Sequence, residues 1–414
     1  MHLGAVADDV TGGTDLASLL RRAGWNVVQT LGLPTAIPTA DAVVISLKIR
    51  TAPADVATSM AASAADALVS AGAAQIFFKY CSTFDSTDDG NIGPVIDVLL
   101  RRLQTGFSIA CPAYPALART VYEGHLFIGD QLLSDSSMRF HPLTPMTDSN
   151  LVRVLGRQTR SEVGLVDLTA VEAGSPAIAN RFQELASRGR RVAIVDAVFE
   201  RHIEAIAEAS GGLRLVTGGA ALGGALARAH HARHDTRDHG KNLRIHAPVA
   251  ILSGSCSAMT LSQIEHAAGS MPTQRIDPSK VINDPAELPR LIEWACAQIR
   301  HGAVLLYSSG PPDAIRAVQE RLGRAEAASL VESTFGSIAT ALADSGVRTF
   351  VVAGGETSAA VLEALRIQTL TFGEELDPGV PWTASLDPSG YVFALKSGNF
   401  GSREFFAKAL EAVL

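Results

Sequence analysis

Cysteine is scarce and scattered in this sequence. Four cysteines occur in 414 residues, Cys81, Cys111, Cys256 and Cys296, and no two form a CxxC pair. That spacing excludes a disulfide framework or a thiolate metal centre as an organising feature, and it predicts reduced thiols in a cytoplasmic setting. No apolar run is long enough to cross a bilayer. The N-terminus has no basic stretch and turns acidic by Asp8, so a signal peptide is not expected. An excess of positive charge is missing too. Lys and Arg number 35 against 42 Asp and Glu, and the formal charge of −7 offers no field for nucleic acid or an anionic membrane. Charged residues make up only 19% while hydrophobic residues reach 47%, which is a globular composition. At this length two domains are the default.

What is present is organised around Val6-Ala7-Asp8-Asp9-Val10-Thr11-Gly12-Gly13-Thr14-Asp15. Leu3 to Ala7 is an apolar run suited to a buried parallel strand. Leu16, Leu19 and Leu20 then recur at helical spacing up to Gly24, a natural stop. The stretch is therefore a strand-to-helix turn, where open α/β sheets place their ligands. A helix N-terminus welcomes anions, yet this loop supplies three acids of its own. Handling of hydroxyl protons or a hydrated metal is one reading. A helix cap plus a solvated Asp15 is the other, and the residues of this turn leave both open.

Further apolar runs follow at Trp25 to Thr30, Ala42 to Leu47 and Gln75 to Tyr80, with an Ala-rich helix over 54–69. This alternation predicts a parallel sheet with right-handed crossovers. Lys48, Arg50 and Lys79 then fall at strand ends on the same rim as Asp8 and Asp9. Next comes Lys79-Tyr80-Cys81-Ser82-Thr83-Phe84-Asp85-Ser86-Thr87, a second strand-to-helix loop dense in hydroxyls. Such a loop can simply cap and close turns. It is also what a polyhydroxylated ligand needs, since each ligand hydroxyl wants a donor and an acceptor. Ser82, Thr83, Asp85, Arg50 and Lys79 are the candidate substrate contacts.

ADDVTGGTD together with KYCSTFDST resembles the four-carbon acid sugar kinases, most closely the branch acting on 3-oxo-tetronates. Cys111-Pro112-Ala113-Tyr114-Pro115, Thr120 to Leu126 and His141 to Asp148 extend the likeness over nearly the whole chain. One departure is Gly13, where similar proteins carry Ala. The resemblance implies an N-terminal domain that holds the acid sugar and a C-terminal domain that holds ATP. Arg119 and His125 are further candidate contacts, although Val121 to Ile128 reads equally well as a hairpin, and His141 before proline reads as structural.

Strand–helix alternation resumes from Asn150 to Ala229 and ends in the glycine run 218–224, which lacks GxGxxG spacing and suits close helix packing. The His-rich segment 231–246 reads as an interdomain linker; His230 and His234 would share a helix face, but no further ligand supports a metal site. The expected architecture is α/β in two domains, 1–230 and 247–414, each a mostly parallel sheet flanked by helices.

The second domain carries three glycine-bearing loops, each after an apolar run: Ser253-Gly254-Ser255-Cys256-Ser257, Gly354-Gly355-Glu356-Thr357-Ser358, and Lys396-Ser397-Gly398-Asn399-Phe400-Gly401. Glycines at strand–helix turns let backbone amides approach phosphates. None matches GxxxxGK[ST], so no P-loop is expected. Three such loops together predict a nucleotide cradle, with Ser255, Ser257, Gly354, Gly355, Glu356, Thr357 and Gly398 as contacts. The resemblance places ATP-binding segments at Ser257, Gly354 to Thr357, and Gly398.

The leading expectation is an ATP-dependent kinase acting on the C4 hydroxyl of a 3-oxo-tetronate, with Mg²⁺ inferred from the chemistry. Erythronate or threonate kinases of the same family, and a sensor binding nucleotide or sugar acid without turnover, are the alternatives. The missing dinucleotide fingerprint counts against a dehydrogenase. Partners are the sugar acid and ATP; the sequence is compatible with a homo-oligomer and does not fix the assembly state. A substrate carboxylate beside Asp8 and Asp9 is repelled, so it should point to Arg50 or Lys79 with the C4 hydroxyl towards the acids. Adjacent residues leaving a strand point opposite ways, so one aspartate is expected as base and the other as cap, with Asp9 favoured as base.

Overall fold

The computed structural model describes residues 1–141, 144–231, 243–309, 323–398 and 400–413. The chain divides into two units, Met1–His239 and Gly240–Leu414. Most of the segment expected as a linker, including His234, lies outside the described residues, as does Asn399 of the third glycine loop.

In the first unit the strands are β1 (Leu3–Ala7), β2 (Val27–Leu31), β3 (Ala42–Ser46), β4 (Gln75–Lys79), β5 (Ser108–Cys111), β6 (Arg119–Tyr122), β7 (His125–Ile128), β8 (Gln131–Leu132), β9 (Val163–Val166), β10 (Val192–Val195) and β11 (Leu215–Gly218). Eight of them form a parallel sheet in the order β2-β3-β1-β4-β11-β5-β10-β9. Every residue of β1 and β3 is buried, as a sheet covered on both faces by helices requires. Strands β6, β7 and β8 form a separate antiparallel meander, so the run from Val121 to Ile128 is a hairpin.

The helix Val10–Arg22 shows why the first turn has its shape. Asp9 caps it by accepting from Gly12 N at 2.9 Å, Arg21 and Arg22 sit in the last turn, and Gly24 reverses the chain at a φ of 88°. Its outer neighbour is the helix Ala220–His231, and the contact depends on missing side chains. A Cβ on Gly223 would stand 2.3 Å from Leu16 Cδ1, and one on Gly224 would stand 2.9 Å from Leu19 Cβ. The glycine run is thus a helix-packing device.

β1 sends its helix towards β2, whereas β4 sends its chain towards β5 on the other side. The connections diverge between β1 and β4, and the crevice at such a switch point is the expected ligand site. Register sharpens this: Ala7 pairs with Ser46 on one side and Lys79 on the other. The loops after β1, β3 and β4 therefore leave the sheet side by side.

The second unit contains β12 (Val249–Ser253), β13 (Thr273–Arg275), β14 (Ala303–Tyr307), β15 (Thr349–Ala353), β16 (Thr369–Asp377), β17 (Val380–Ser385) and β18 (Val392–Lys396). Their order is β13-β14-β12-β15-β18-β17-β16. The first five are parallel and the last two pair antiparallel, so this sheet is also mostly parallel and flanked by helices. Ser253 pairs with Ala353, and Ala353 with Lys396. The three glycine loops consequently emerge from adjacent strand ends, with the switch point between β12 and β15. No helix among the described residues is long and apolar enough to cross a membrane.

Candidate active site

In the first unit, four carboxylates and two cations gather where β1, β3 and β4 end. Asp8 is buried at 5% exposure and takes a two-point contact from Arg50, with Nε to Oδ2 at 2.8 Å and Nη2 to Oδ1 at 2.9 Å. Arg50 Nη2 also lies 2.9 Å from Asp9 Oδ1, and Nη1 lies 3.8 Å from Asp85 Oδ2. Asp8 and Asp9 therefore converge on one guanidinium. The expectation that they point apart does not hold here, because a planar fork with several N–H groups can serve neighbouring acids along its edge. The cap falls on Asp9, the residue that the sequence favoured as base, and not on Asp8.

Backbone contacts fix the arginine in place. Ile49 N and Arg50 N both reach Asp8 O, at 3.1 and 3.3 Å. Asn91 Nδ2 donates to Ile49 O at 2.7 Å and Ala52 O at 2.8 Å, tying the Arg50 loop to the start of the helix Ile92–Arg102. Sequence reading missed Asn91; its only signal was an amide preceding a helix at the end of a polar loop.

Lys79 differs from Arg50. Its side chain is only 4% exposed, yet among the described residues its ammonium has neither a hydrogen bond nor an ion pair. It rests against the first turn of the helix Val10–Arg22, where a Cβ on Gly12 would stand 2.0 Å from Nζ. Glycine at that position is what gives the lysine its place. Asp15 lies on the same helix face one turn later.

The charges are strongly coupled. Burial drives Asp8 above the ordinary carboxylate value despite Arg50. Burial also acts on Asp9, but Arg50 and Lys79 outweigh it and hold Asp9 below that value. Asp15 is pushed up to about 6 by burial, partly offset by Lys79. Asp9 is thus the acid whose ionised form is favoured and the more accessible of the pair; its contacts with Gly12 N and Arg50 Nη2 fall on Oδ1, and Asp8 adds a side-chain hydrogen bond.

The hydroxyl-rich loop borders this cluster. Thr83 Oγ1 donates to Asp85 Oδ1 at 2.5 Å and lies 2.9 Å from Cys81 Sγ. Between them Phe84 adopts a left-handed conformation at a φ of 51° and buries its ring edge-on to Tyr80 at 5.4 Å. Such a conformation costs roughly 1–2 kcal/mol in a non-glycine residue, and ring burial offsets it. Ser82 is half-buried nearby. Burial pushes the Cys81 thiol up to about 11, so it stays protonated. Arg119 and His125 make local contacts of their own: Arg119 donates to Leu117 O, and His125 meets Glu123 O and Asn150 Nδ2. His141 Nδ1 meets Thr144, a local turn contact.

In the second unit the three glycine loops are bonded into one surface. Gly254 N and Ser255 N donate to Ala353 O at 3.0 and 3.2 Å, and Gly354 N donates to Lys396 O at 3.0 Å. Gly254 and Gly398 leave no room for side chains: their Cβ atoms would stand 2.1 Å from Thr357 Oγ1 and 2.7 Å from Ser255 Oγ. Gly354 sits at a φ of 118° against Ser255 N. Gly355 and Glu356 open the helix Gly355–Ala364, whose N-terminus has no side-chain cap. That leaves its first amides for an anion. Beneath the loops lies Lys396, fully buried, a residue that the sequence places in the third loop without marking its role.

A sugar-binding N-terminal domain model matches residues 3–226, and a nucleotide-binding C-terminal domain model matches residues 250–406. The chain belongs to the four-carbon acid sugar kinase family. It is 46% identical to a 3-oxo-tetronate kinase of Burkholderia multivorans, over 99% of this chain and 97% of that one. A 3-oxo-tetronate kinase of Pseudomonas savastanoi is 45% identical over 99% and 96%. A crystal structure from Salmonella typhimurium superposes with a TM-score of 0.90 at 39% identity, covering 100% of both chains. As a member of this family the chain is an ATP-dependent carbohydrate kinase. Gly13, the departure from similar sequences, is tightly enclosed, since a Cβ there would stand 2.0 Å from Ser46 Oγ and 2.9 Å from Gln29 Nε2. Gln29 and Ser46 bond each other at 2.8 Å across that space.

Proposed function

We propose that this kinase transfers the γ-phosphoryl group of ATP to the C4 hydroxyl of a 3-oxo-tetronate. The observation carrying the reading is the division of cations in the first unit. Arg50 is occupied by aspartates, whereas buried Lys79 acts on Asp9 and Asp15 through its charge alone and, among the described residues, makes no hydrogen bond or ion pair. Lys79 and the amides of the helix N-terminus at Val10–Arg22 together suit the substrate carboxylate. Ser82, Thr83 and Asp85 are positioned for the substrate oxygens. Arg50 then holds Asp8, Asp9 and Asp85 in place instead of receiving the carboxylate itself. Asp9 Oδ2 takes the proton of, or orients, the attacking hydroxyl.

Among the described residues no three His, Cys, Asp or Glu side chains converge as a metal cage. The fit is therefore to a Mg²⁺ that arrives on the triphosphate, keeps several waters, and takes at most one or two carboxylates. Its chemistry would be neutralisation of charge on the phosphates. The free cysteines and the absence of a membrane-crossing helix among the described residues support a cytoplasmic setting.

A panel of four-carbon sugar acids, coupled to ADP formation, tests the reading. Turnover should be highest with a 3-oxo-tetronate and lower with erythronate and threonate. ATP binding without acid-dependent ADP release would make the chain a sensor. Lys79→Met should raise KM for the acid about 10- to 100-fold, in line with a charge-assisted hydrogen bond of roughly 1.5–3 kcal/mol. KM for ATP should stay within about threefold. An equal rise in both would remove Lys79 from the carboxylate site.

The cradle has its own test. Gly398→Val would push against Ser255 and Ser257, an overpacking cost of roughly 1–3 kcal/mol at the loop. ATP affinity by calorimetry should fall at least about tenfold, with acid binding retained. Unchanged ATP affinity would move the nucleotide elsewhere.

A further inference from the structure

The nucleotide half of the chain contains a buried positive charge that no acid among the described residues answers. Lys396, at the end of β18, is 0% exposed. Its ammonium donates to Thr260 Oγ1 at 2.9 Å, Gly398 O at 2.9 Å and Ser397 O at 3.2 Å. All three N–H groups are thereby used, and all three partners are neutral. Among the described residues no carboxylate comes within ion-pair distance. The Gly398 carbonyl is the centre of this knot. Ser257 Oγ and Thr260 Oγ1 also donate to it, at 2.6 and 2.8 Å. Lys396 therefore bonds the third glycine loop to the helix Ala258–Ala267 behind the first, Ser257 joins the two loops directly, and the backbone carbonyl of Lys396 receives Gly354 N of the second.

A buried ammonium with only neutral partners is costly, and natural interiors rarely keep one without a counterion. We infer that Lys396 is a positioning residue of the nucleotide site, whose ammonium ties the third glycine loop to the helix that follows the first and whose charge is balanced by the phosphates of bound ATP. The inference rests on ATP use and not on the identity of the sugar acid, so failure of the substrate reading leaves it untouched.

Burial pulls this ammonium down to about 8 in the nucleotide-free chain. A bound phosphate favours the charged form and moves the group upwards, so binding takes up a proton. With a nucleotide-free value of about 8, the uptake is larger at pH 8.5, where the free ammonium is mostly deprotonated, than at pH 7, where it is mostly charged already. Among the described residues, the other titratable groups on the first two glycine loops and the helices after them are Cys256, Glu356, Glu363, Glu265 and His266. None is an ion-pair partner of Lys396. Of these, Cys256 shares the first loop and is the one thiol to control for.

Calorimetry of Mg·ATP binding in two buffers of different ionisation enthalpy, at pH 7.0 and 8.5, reads the protons directly. The wild type should take up more at pH 8.5, with ATP but not with adenosine, and Cys256→Ser should behave the same way. Lys396→Met should lose the uptake and weaken ATP about 10- to 100-fold, while adenosine changes less than about threefold. Lys396→Arg should recover ATP affinity without the uptake, because guanidinium does not titrate in this range. Equal losses for ATP and adenosine would make Lys396 a purely structural residue. A pH-independent proton count in the wild type overturns the inference without any variant, so it remains testable even if Lys396→Met does not fold.

Discussion

Asp9→Asn should lose between 10² and 10⁴ in kcat, the range expected when a positioned proton acceptor is removed. The fold should survive, since Asn caps a helix about as well as Asp and can still accept from Gly12 N. Arg50 keeps its two-point contact with Asp8 in the variant. The stability loss should therefore stay near 1 kcal/mol, and ATP affinity should not move. The pH profile adds an independent reading. A base must be ionised, so activity is lost as pH falls through its value in the folded enzyme. Asp9 is held below the ordinary carboxylate value, so the rate should be flat from pH 8 down to about 5. An acid limb near pH 6 would implicate Asp15 instead, which burial pushes up to about 6. If Asp9→Asn keeps its rate while Asp8→Asn loses it, the base is Asp8. Were both to keep it, Asp85 would be the remaining acid of the cluster.

Much of this site can be read along the chain because its pieces are local. Buried parallel strands appear as short apolar runs, and the polar loops after β1, β4, β12, β15 and β18 stand out against them. The paired positions of β1 with β3 and β4 follow from β–α alternation, so Arg50 and Lys79 fall beside Asp8 without any need for coordinates. What alternation cannot supply is occupancy. Arg50 and Lys79 look alike as strand-end cations, yet one is bonded to several acids and the other, among the described residues, acts on them only at longer range. That difference comes from side-chain reach across 42 positions of sequence and from the missing Cβ of Gly12.

The role of Lys396 was hidden for a related reason. A lysine at a strand end reads as solvated, and only the register of Ser253, Ala353 and Lys396 shows that it lies beneath neighbouring loops. The antiparallel pair β16–β17 is hard to read for a different cause. Its register shifts between Phe372 and Glu375 and again before Asp377, which breaks the alternation that marks a strand. β13 is three largely polar residues, too short for any periodicity.

Arg50→Ala should destabilise the first unit by about 3–5 kcal/mol at pH 7.5, the range for removing one partner from a buried ionic cluster. The arginine side chain is 23% exposed and its partner Asp8 only 6%, so solvent can screen little of the loss. Asp8 and Asp85 would remain buried, with Lys79 still acting on Asp8. The sign of the pH effect follows from Asp8. Burial already raises its value with Arg50 present, and deleting the cation raises it further. A carboxyl whose folded value exceeds its unfolded value contributes stability at low pH and loses it as pH rises through the folded value. The melting-temperature gap between variant and wild type should therefore narrow at pH 5 and widen towards pH 8. Thermal melts across that range decide the matter. A gap below about 1 kcal/mol, or one that ignores pH, would mean the acids do not depend on Arg50. The guanidinium would then be available to the substrate, and the KM of the acid should rise in Arg50→Ala and not in Lys79→Met.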